Sequence, residues 1–355
     1  MSLTDFRTLG RSGLVVSPLA LGTMTFGTPR WGSADDVSEK VFNAYVDAGG
    51  NFIDTADVYA GGRSEELLGS YVAARQLRDQ LVLATKFGFN THPGNPHAGG
   101  NGRKQIYRAL EHSLRRLRTD YVDLYWLHVW DTVTPADEVL QTLGDLVRAG
   151  RIRYFGLSDV PAWYAAQLAA LAHAHGVPGP VALQLEYSLV ERTIEREHVP
   201  AARALGLGVL PWSPLAGGFL AGKYERAAQG PQSATGEGRL SGANPFTGPF
   251  TKFTERNWRI LAALREVAAQ LDRPLAQVAL AWAAAQPGIT APIIGTSRVE
   301  QLHDNVAALE VQLAPEHRKA LNEASAPEPT FPYPIFTPEM SRAAVFGGTS
   351  VRGWQ

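Results

Sequence analysis

Asn51-Phe52-Ile53-Asp54-Thr55-Ala56-Asp57-Val58-Tyr59 is a short apolar run that stops at a carboxylate and carries a tyrosine in the loop beyond it. A run of this length bounded by polar residues reads as a buried strand. Two later runs stop in the same abrupt way: Leu81-Val82-Leu83-Ala84-Thr85 at Lys86, and Val122-Asp123-Leu124-Tyr125-Trp126-Leu127 at His128. In a (β/α)8 barrel such strand ends converge on one face, where the chemistry is done. The first expectation is therefore that Asp54, Tyr59, Lys86 and His128 share one site.

The rest of the chain has the alternation a barrel needs. Phe6-Arg7-Thr8-Leu9 and Leu14-Val15-Val16 flank Gly10-Arg11-Ser12-Gly13, a hairpin pattern, expected to plug the bottom of the barrel. Leu19-Ala20-Leu21 is the first barrel strand, opening into the Gly22-Thr23 loop. The strands ending at Asp54, Lys86 and His128 follow. A fifth strand at 151–157 ends at Ser158-Asp159, and a sixth at 181–183 ends at Gln184. A seventh at 207–210 runs into Pro211-Trp212-Ser213, and an eighth at 290–294 into Gly295-Thr296-Ser297. Helices are expected between them, at about 34–49, from Ser64, at about 103–118, from Thr134-Pro135 with Thr134 as N-cap, and at about 298–309. The fold class is α/β: a (β/α)8 TIM barrel with an N-terminal hairpin, long loops, and a C-terminal tail over the active-site face. Residues 1–355 are read as a single barrel domain, with 326–355 as the tail. The tail's Phe331, Tyr333, Phe336, Phe346 and Trp354 stand among prolines and suggest a wall for the substrate pocket.

Composition excludes several classes. A formal net charge of −1 gives no basic surface for phosphate neutralisation, so no nucleic-acid partner is expected. Zero cysteines removes thiol nucleophiles, disulfides and zinc–thiolate sites. Neither a signal peptide nor an apolar run of about 18 residues is visible, so the expectation is a cytoplasmic protein with no membrane partner.

Reducing a carbonyl by hydride requires a cofactor, a proton for the developing alkoxide and a group that polarises the oxygen. A phenol, with a pKa of about 10, needs tuning; a nearby ammonium lowers that value, and a carboxylate keeps the ammonium charged. A histidine beside the phenol orients the oxygen or relays the proton. A lone polar residue at a strand end is most simply a solvated loop residue. Four complementary types on three consecutive strands are not explained that way.

These stretches, with Gly156-Leu157-Ser158-Asp159, Gln184, Trp212-Ser213-Pro214-Leu215-Ala216-Gly217, Gly222-Lys223-Tyr224 and Ile294-Gly295-Thr296-Ser297, resemble the aldo-keto reductases. The flavour is that of the branch holding bacterial aryl-alcohol dehydrogenase-like reductases and potassium-channel β-subunits. The resemblance implies an NADPH-dependent reductase of aldehydes or ketones, with Tyr59 as general acid, Lys86 and Asp54 tuning it, and His128 orienting the substrate. It implies NADP(H) contacts from Gly22, Thr23 and Asp54, from Ser158, Asp159 and Gln184 at the carboxamide, and from Trp212 on the nicotinamide face. Ser213, Pro214, Leu215, Gly217 and Lys223 fall at the pyrophosphate, and Gly295, Thr296, Ser297, Arg298, Gln301, Asp304 and Asn305 at the adenosine end. Asp159 stands where the family usually has asparagine; a carboxylate accepts hydrogen bonds but lacks the amide's donors. Trp31, Phe89 and Trp130, with Tyr59 and His128, are expected around a small carbonyl substrate.

No Gly-x-Gly-x-x-Gly follows a strand, so a Rossmann site is not indicated. His173-Ala174-His175 resembles a metal-hydrolase motif but precedes Gly176 in an Ala-rich helix, where residues two apart point to different sides. His92 and His97 fall in a Gly/Pro-rich loop, and no metal is expected. Arg115, Arg116 and Arg118 read as a solvated helix face. The alternative function is a nucleotide-binding, redox-sensing regulatory subunit with slow turnover; the lack of a long N-terminal extension favours the enzyme. The physiological substrate and oligomeric state are not legible.

Overall fold

The computed structural model describes residues 1–28, 32–228, 230, 234–236, 238–241 and 251–351. Trp31, Trp354 and much of the loop at 225–253 lie outside the described residues.

The chain opens with a hairpin, β1 (Arg7–Thr8) against β2 (Val15–Val16). It then alternates: β3 (Ala20–Gly22), α1 (Asp35–Asp47), β4 (Phe52–Asp54), α2 (Arg63–Arg75), β5 (Val82–Phe87), α3 (Arg103–Leu117), β6 (Val122–Leu127) and α4 (Ala136–Arg148). It continues with β7 (Ile152–Ser158), α5 (Ala162–His175), β8 (Ala182–Glu186), α6 (His198–Leu205) and β9 (Gly208–Trp212). A small pair, β10 (Glu225–Arg226) with β11 (Ala234–Thr235), precedes α7 (Glu255–Leu271), α8 (Leu275–Ala284), β12 (Ile293–Gly295), α9 (Val299–Ala307) and α10 (Pro315–Ala324). The eight parallel strands run in the order β12-β3-β4-β5-β6-β7-β8-β9, and the N–H of Thr290, on the lead into β12, donates to the Val209 carbonyl of β9 at 2.8 Å, joining the two ends of this order. This is a (β/α)8 barrel.

The hairpin closes the bottom. Leu9, Leu14 and Val16 join Ala20, Phe52, Val82, Leu124, Trp126, Ala182 and Leu210 in the barrel interior. Gly10 makes this approach possible. It has φ +60, and a Cβ there would lie 2.6 Å from the carbonyls of Gly206 and Val181. Gly156 has a similar role inside the barrel, where a Cβ would sit 2.3 Å from the Trp126 ring. Residues of opposite parity, such as Leu83, Phe87, Tyr125, Leu127, Phe155 and Leu157, form the second apolar layer beneath the helices.

Element boundaries differ from expectation where a polar residue was taken as a stop. β8 runs three residues and β9 two residues further than expected, because Gln184↔Leu210, Leu185↔Pro211 and Glu186↔Trp212 still pair through the backbone. The ladder is indifferent to side-chain polarity. Helix α4 begins after Pro135, with Pro135 itself at the N-cap. Thr134 instead gives its hydroxyl to Asp131 at 2.6 Å. Arg116 is no solvated arginine: its Nε donates at 2.6 Å to Glu65, whose side chain is fully buried.

The tail anchors beside the start of α6. Arg256 donates to the Ser325 carbonyl at 2.8 Å, Arg196 to the Glu328 carbonyl, and Tyr333 to Glu197. That places it near the loop after β8, at the end of the barrel where the strand ends open. Phe331 and Phe336 are exposed, and no described tail residue lines the central cavity. The expectation that the tail walls the pocket therefore does not hold for the described residues.

Candidate active site

Strand parity builds the site. Side chains two apart on a strand share a face, so the layer Phe52, Ala84, Trp126, Gly156, Ala182 and Leu210 continues one step toward the strand ends as Asp54, Lys86, His128, Ser158, Gln184 and Trp212. With Lys86 buried just beneath its floor, Asp54, His128, Ser158, Gln184 and Trp212 thus line a cavity of about 1710 Å³. That exceeds the few hundred to about 1,000 Å³ of a site for one small molecule.

Lys86 is the hub. Its Nζ donates to Asp54 Oδ1, to the Thr55 carbonyl at 2.8 Å and to the Tyr59 hydroxyl at 3.2 Å, with its side chain fully buried. Gln184 Nε2 donates to the other Asp54 oxygen at 3.0 Å. Tyr59 reaches inward because the loop after β4 stays attached to β5: the N–H groups of Thr55 and Asp57 donate to the carbonyls of Ala84 and Lys86. A turn with Ala60 at φ 49 then leads into α2.

Burial opposes charge on Lys86, but Asp54 and Tyr59 outweigh it and hold the amine above its ordinary value. Burial also pushes the Tyr59 phenol up, against the pull of Lys86. The expectation that the ammonium leaves a lowered phenol pKa is thus reversed here, because desolvation wins. His128 stands edge-on to Tyr59, ring centroids 5.9 Å apart. Burial and Lys86 hold its imidazole well below the usual value, so it is neutral at pH 7.

Behind Lys86 lies a polar layer that the sequence did not reveal. Glu65 accepts from Thr85 at 2.5 Å as well as from Arg116, and burial beside Glu65 pushes Asp57 up to about 8. The long loop at 89–102 is pinned by reciprocal bonds: Asn101 N–H to Asp131 at 2.8 Å and Asp131 N–H to Asn101 Oδ1 at 2.9 Å. It lays Phe89 on His128 at 4.7 Å.

Of the expected cofactor residues, Gly22, Ser158, Asp159, Gln184, Trp212, Ser213, Pro214, Leu215, Gly217, Lys223, Gly295, Ser297, Arg298, Gln301, Asp304 and Asn305 line the same cavity as Asp54 and Tyr59. Thr23 and Thr296 sit just behind it: Thr23 bonds Ser64 at 2.8 Å, and Thr296 has a buried hydroxyl without a partner among the described residues. Gln301 is engaged by Ser297, whose N–H and hydroxyl both donate to it. Phe89 and His128 line the cavity; Trp130 does not, packing edge-on to Trp163 at 5.4 Å. The structure adds Arg239, and Glu186 paired with Lys252 at 2.7 Å, all lining the cavity. Arg239 and Lys252 lie in the loop after β9 and its exit, where no strand pattern announces them.

Comparison with known proteins supplies the class. Residues 18–326 match the Aldo/keto reductase family, and the chain belongs to that family of carbonyl-reducing oxidoreductases. It is 38% identical over 330 residues to the uncharacterized oxidoreductase YrpG of Bacillus subtilis (strain 168), covering 90% of this chain and 95% of that one. It is 34% identical to the aryl-alcohol dehydrogenase [NADP(+)] of Phanerodontia chrysosporium, over 91% of this chain and 86% of the relative. Against the norsolorinic acid reductase stcV of Emericella nidulans, identity is 37% over 86% and 77% of the two chains. No helix among the described residues is long and apolar enough to cross a membrane.

Proposed function

We propose that this chain is an NADPH-dependent reductase of aldehydes and ketones, reversible in direction, with Tyr59 as its general acid. The observation that carries this reading is Lys86 Nζ shared among Asp54, the Thr55 carbonyl and Tyr59 at the floor of the cavity.

The residues present fit a phosphorylated nicotinamide dinucleotide. Ser158 and Thr296 hold buried hydroxyls without partners among the described residues. Lys223 is lowered by burial and by Arg298 nearby, so two cations crowd one rim where an anion would relieve them. Trp212 offers an indole wall, and Ser297 and Arg298 at the start of α9 offer donors to a ribose phosphate. When bound, the cofactor supplies the hydride. The chain's part is proton chemistry. Tyr59, kept protonated by burial, donates its proton to the carbonyl oxygen; Lys86 stabilises the phenolate left behind; Asp54 balances Lys86; neutral His128 orients the oxygen. In oxidation the same proton returns to Tyr59. Met24, Val58 and Phe89 give the substrate end an apolar lining, and the names of the relatives direct a first panel to aromatic aldehydes.

Tyr59→Phe tests the reading. It should lower kcat on an aryl aldehyde by about 10²–10⁴-fold while NADPH binding, followed by fluorescence, is retained. Near-unchanged kcat on a substrate whose chemical step is rate-limiting would remove Tyr59 from the mechanism.

A further inference from the structure

Asp159 directly follows β7 with φ +45, in the left-handed region that asparagine, aspartate and glycine tolerate best. Its Oδ1 accepts the indole N–H of Trp212 at 3.0 Å. Both observations would be served equally by asparagine, so neither explains a charge. The charge is costly in the free protein. Burial, aggravated by Glu186, pushes the carboxyl up to about 6. Among the described residues no lysine or arginine forms an ion pair with it: Lys252 is engaged with Glu186, and Lys86, bound to Asp54, offsets the burial only in part. His128, just past the neighbouring strand, is neutral at pH 7, and the His198 imidazole hydrogen-bonds the adjacent Val160 carbonyl. The cavity thus holds a carboxylate beside Trp212 that lacks a close cation. A ligand that brings positive charge to the Trp212 wall would offset that cost.

We infer that Asp159 sets the preference of the site between the two oxidation states of the nicotinamide, favouring the oxidised, cationic ring over the reduced, neutral one. This rests on the NADP(H) reading of the cavity. The two forms share the same phosphates, ribose and adenine, so contacts to those parts act on both; Asp54 and Glu186 are each balanced by a lysine, and the Asp159 carboxylate, which is not, acts on the one charge that differs. Asp159 is accordingly a specificity-determining residue, separate from the proton-transfer group.

The test is equilibrium binding of NADP+ and of NADPH by titration calorimetry, at pH 8 and pH 5.5, to the wild type and to Asp159→Asn. Asparagine tolerates the same backbone conformation and still accepts the Trp212 N–H, so the change removes charge and little else. At pH 8 the variant should bind NADP+ about tenfold more weakly while its NADPH affinity moves less than about twofold. At pH 5.5 the wild-type ratio of the two affinities should approach that of the variant; titration of the ribose phosphate affects both forms and cancels, and Asp57, pushed up to about 8, titrates in both proteins and drops out of the comparison between them. Equal weakening of both forms would mean that Asp159 acts only by positioning Trp212 and would overturn the inference, as would an unchanged ratio at pH 8. Failure of the wild type to bind either form would overturn the cofactor reading itself, and this inference with it.

Discussion

Replacing Lys86 with methionine separates what the buried ammonium does for stability from what it does for chemistry. Methionine fills much of the aliphatic volume, so the cavity contribution is small. The loss is electrostatic. Exposure of the two side chains is 0% and 3%, which puts the pair in the buried regime. Without Lys86, the Thr55 carbonyl loses its side-chain donor and Asp54 keeps the bond from Gln184 but loses its cation. An orphaned buried acceptor costs about 1–3 kcal/mol, and breaking a buried pair from one side costs about 3–5 kcal/mol in all. Urea unfolding of Lys86→Met at pH 7 should therefore show a loss in that range. Asp54, already pushed up by burial, can take up a proton in the variant. A folded-state pKa above the unfolded value makes stability fall as pH rises, so the loss should be larger at pH 8 than at pH 6. Lys86→Met/Asp54→Asn removes both charges of the pair and should recover roughly 2 kcal/mol or more. Activity should not follow, since both variants lack the ammonium that stabilises phenolate; kcat should stay down by about 10²–10⁴-fold in each. A single-variant loss under about 1 kcal/mol would refute the buried-pair account. Restored activity in the double variant would refute the tuning role.

Asp57→Asn keeps an acceptor for the Val58 N–H and removes a carboxyl pushed up to about 8. Since the folded wild type holds that proton and the unfolded chain releases it near pH 4, wild-type stability should decline between about pH 4 and 8. The variant should gain on it by roughly 1–3 kcal/mol at pH 9, and a difference constant from pH 5 to 9 in urea unfolding would contradict this. Gly156→Ala drives a Cβ to 2.3 Å from the Trp126 ring and 2.9 Å from the Ala182 carbonyl, and should destabilise by about 1–3 kcal/mol, read as a lowered urea midpoint. NADPH should be preferred to NADH by about 10–100-fold in kcat/KM, roughly 1.4–2.7 kcal/mol, and Arg298→Ala should erase most of this by weakening NADPH alone. Equal losses with both cofactors would remove Arg298 from the phosphate site.

The sequence alone determined the barrel and the inventory of its floor. Both are local in the chain: a strand is a contiguous run, its period of two sends Phe52 and Asp54, or Ala84 and Lys86, to the same side, and each run breaks where chemistry begins. Tertiary structure decided what depends on meetings between distant segments. Gln184 reaches Asp54 across 130 positions, Arg116 turns from an apparent surface residue into the partner of buried Glu65, and Trp130 leaves the pocket for Trp163. Arg239 and Lys252 reach the cavity from stretches with no periodic signal, Lys252 to pair with Glu186 at the end of β8. The described part of the tail, rich in aromatics, settles beside α6 instead of lining the pocket. Enclosure also decided the proton affinities. Residue types near Tyr59 suggest a lowered phenol, whereas desolvation raises it, and desolvation is a property of the folded surroundings that no neighbouring residue in the chain encodes.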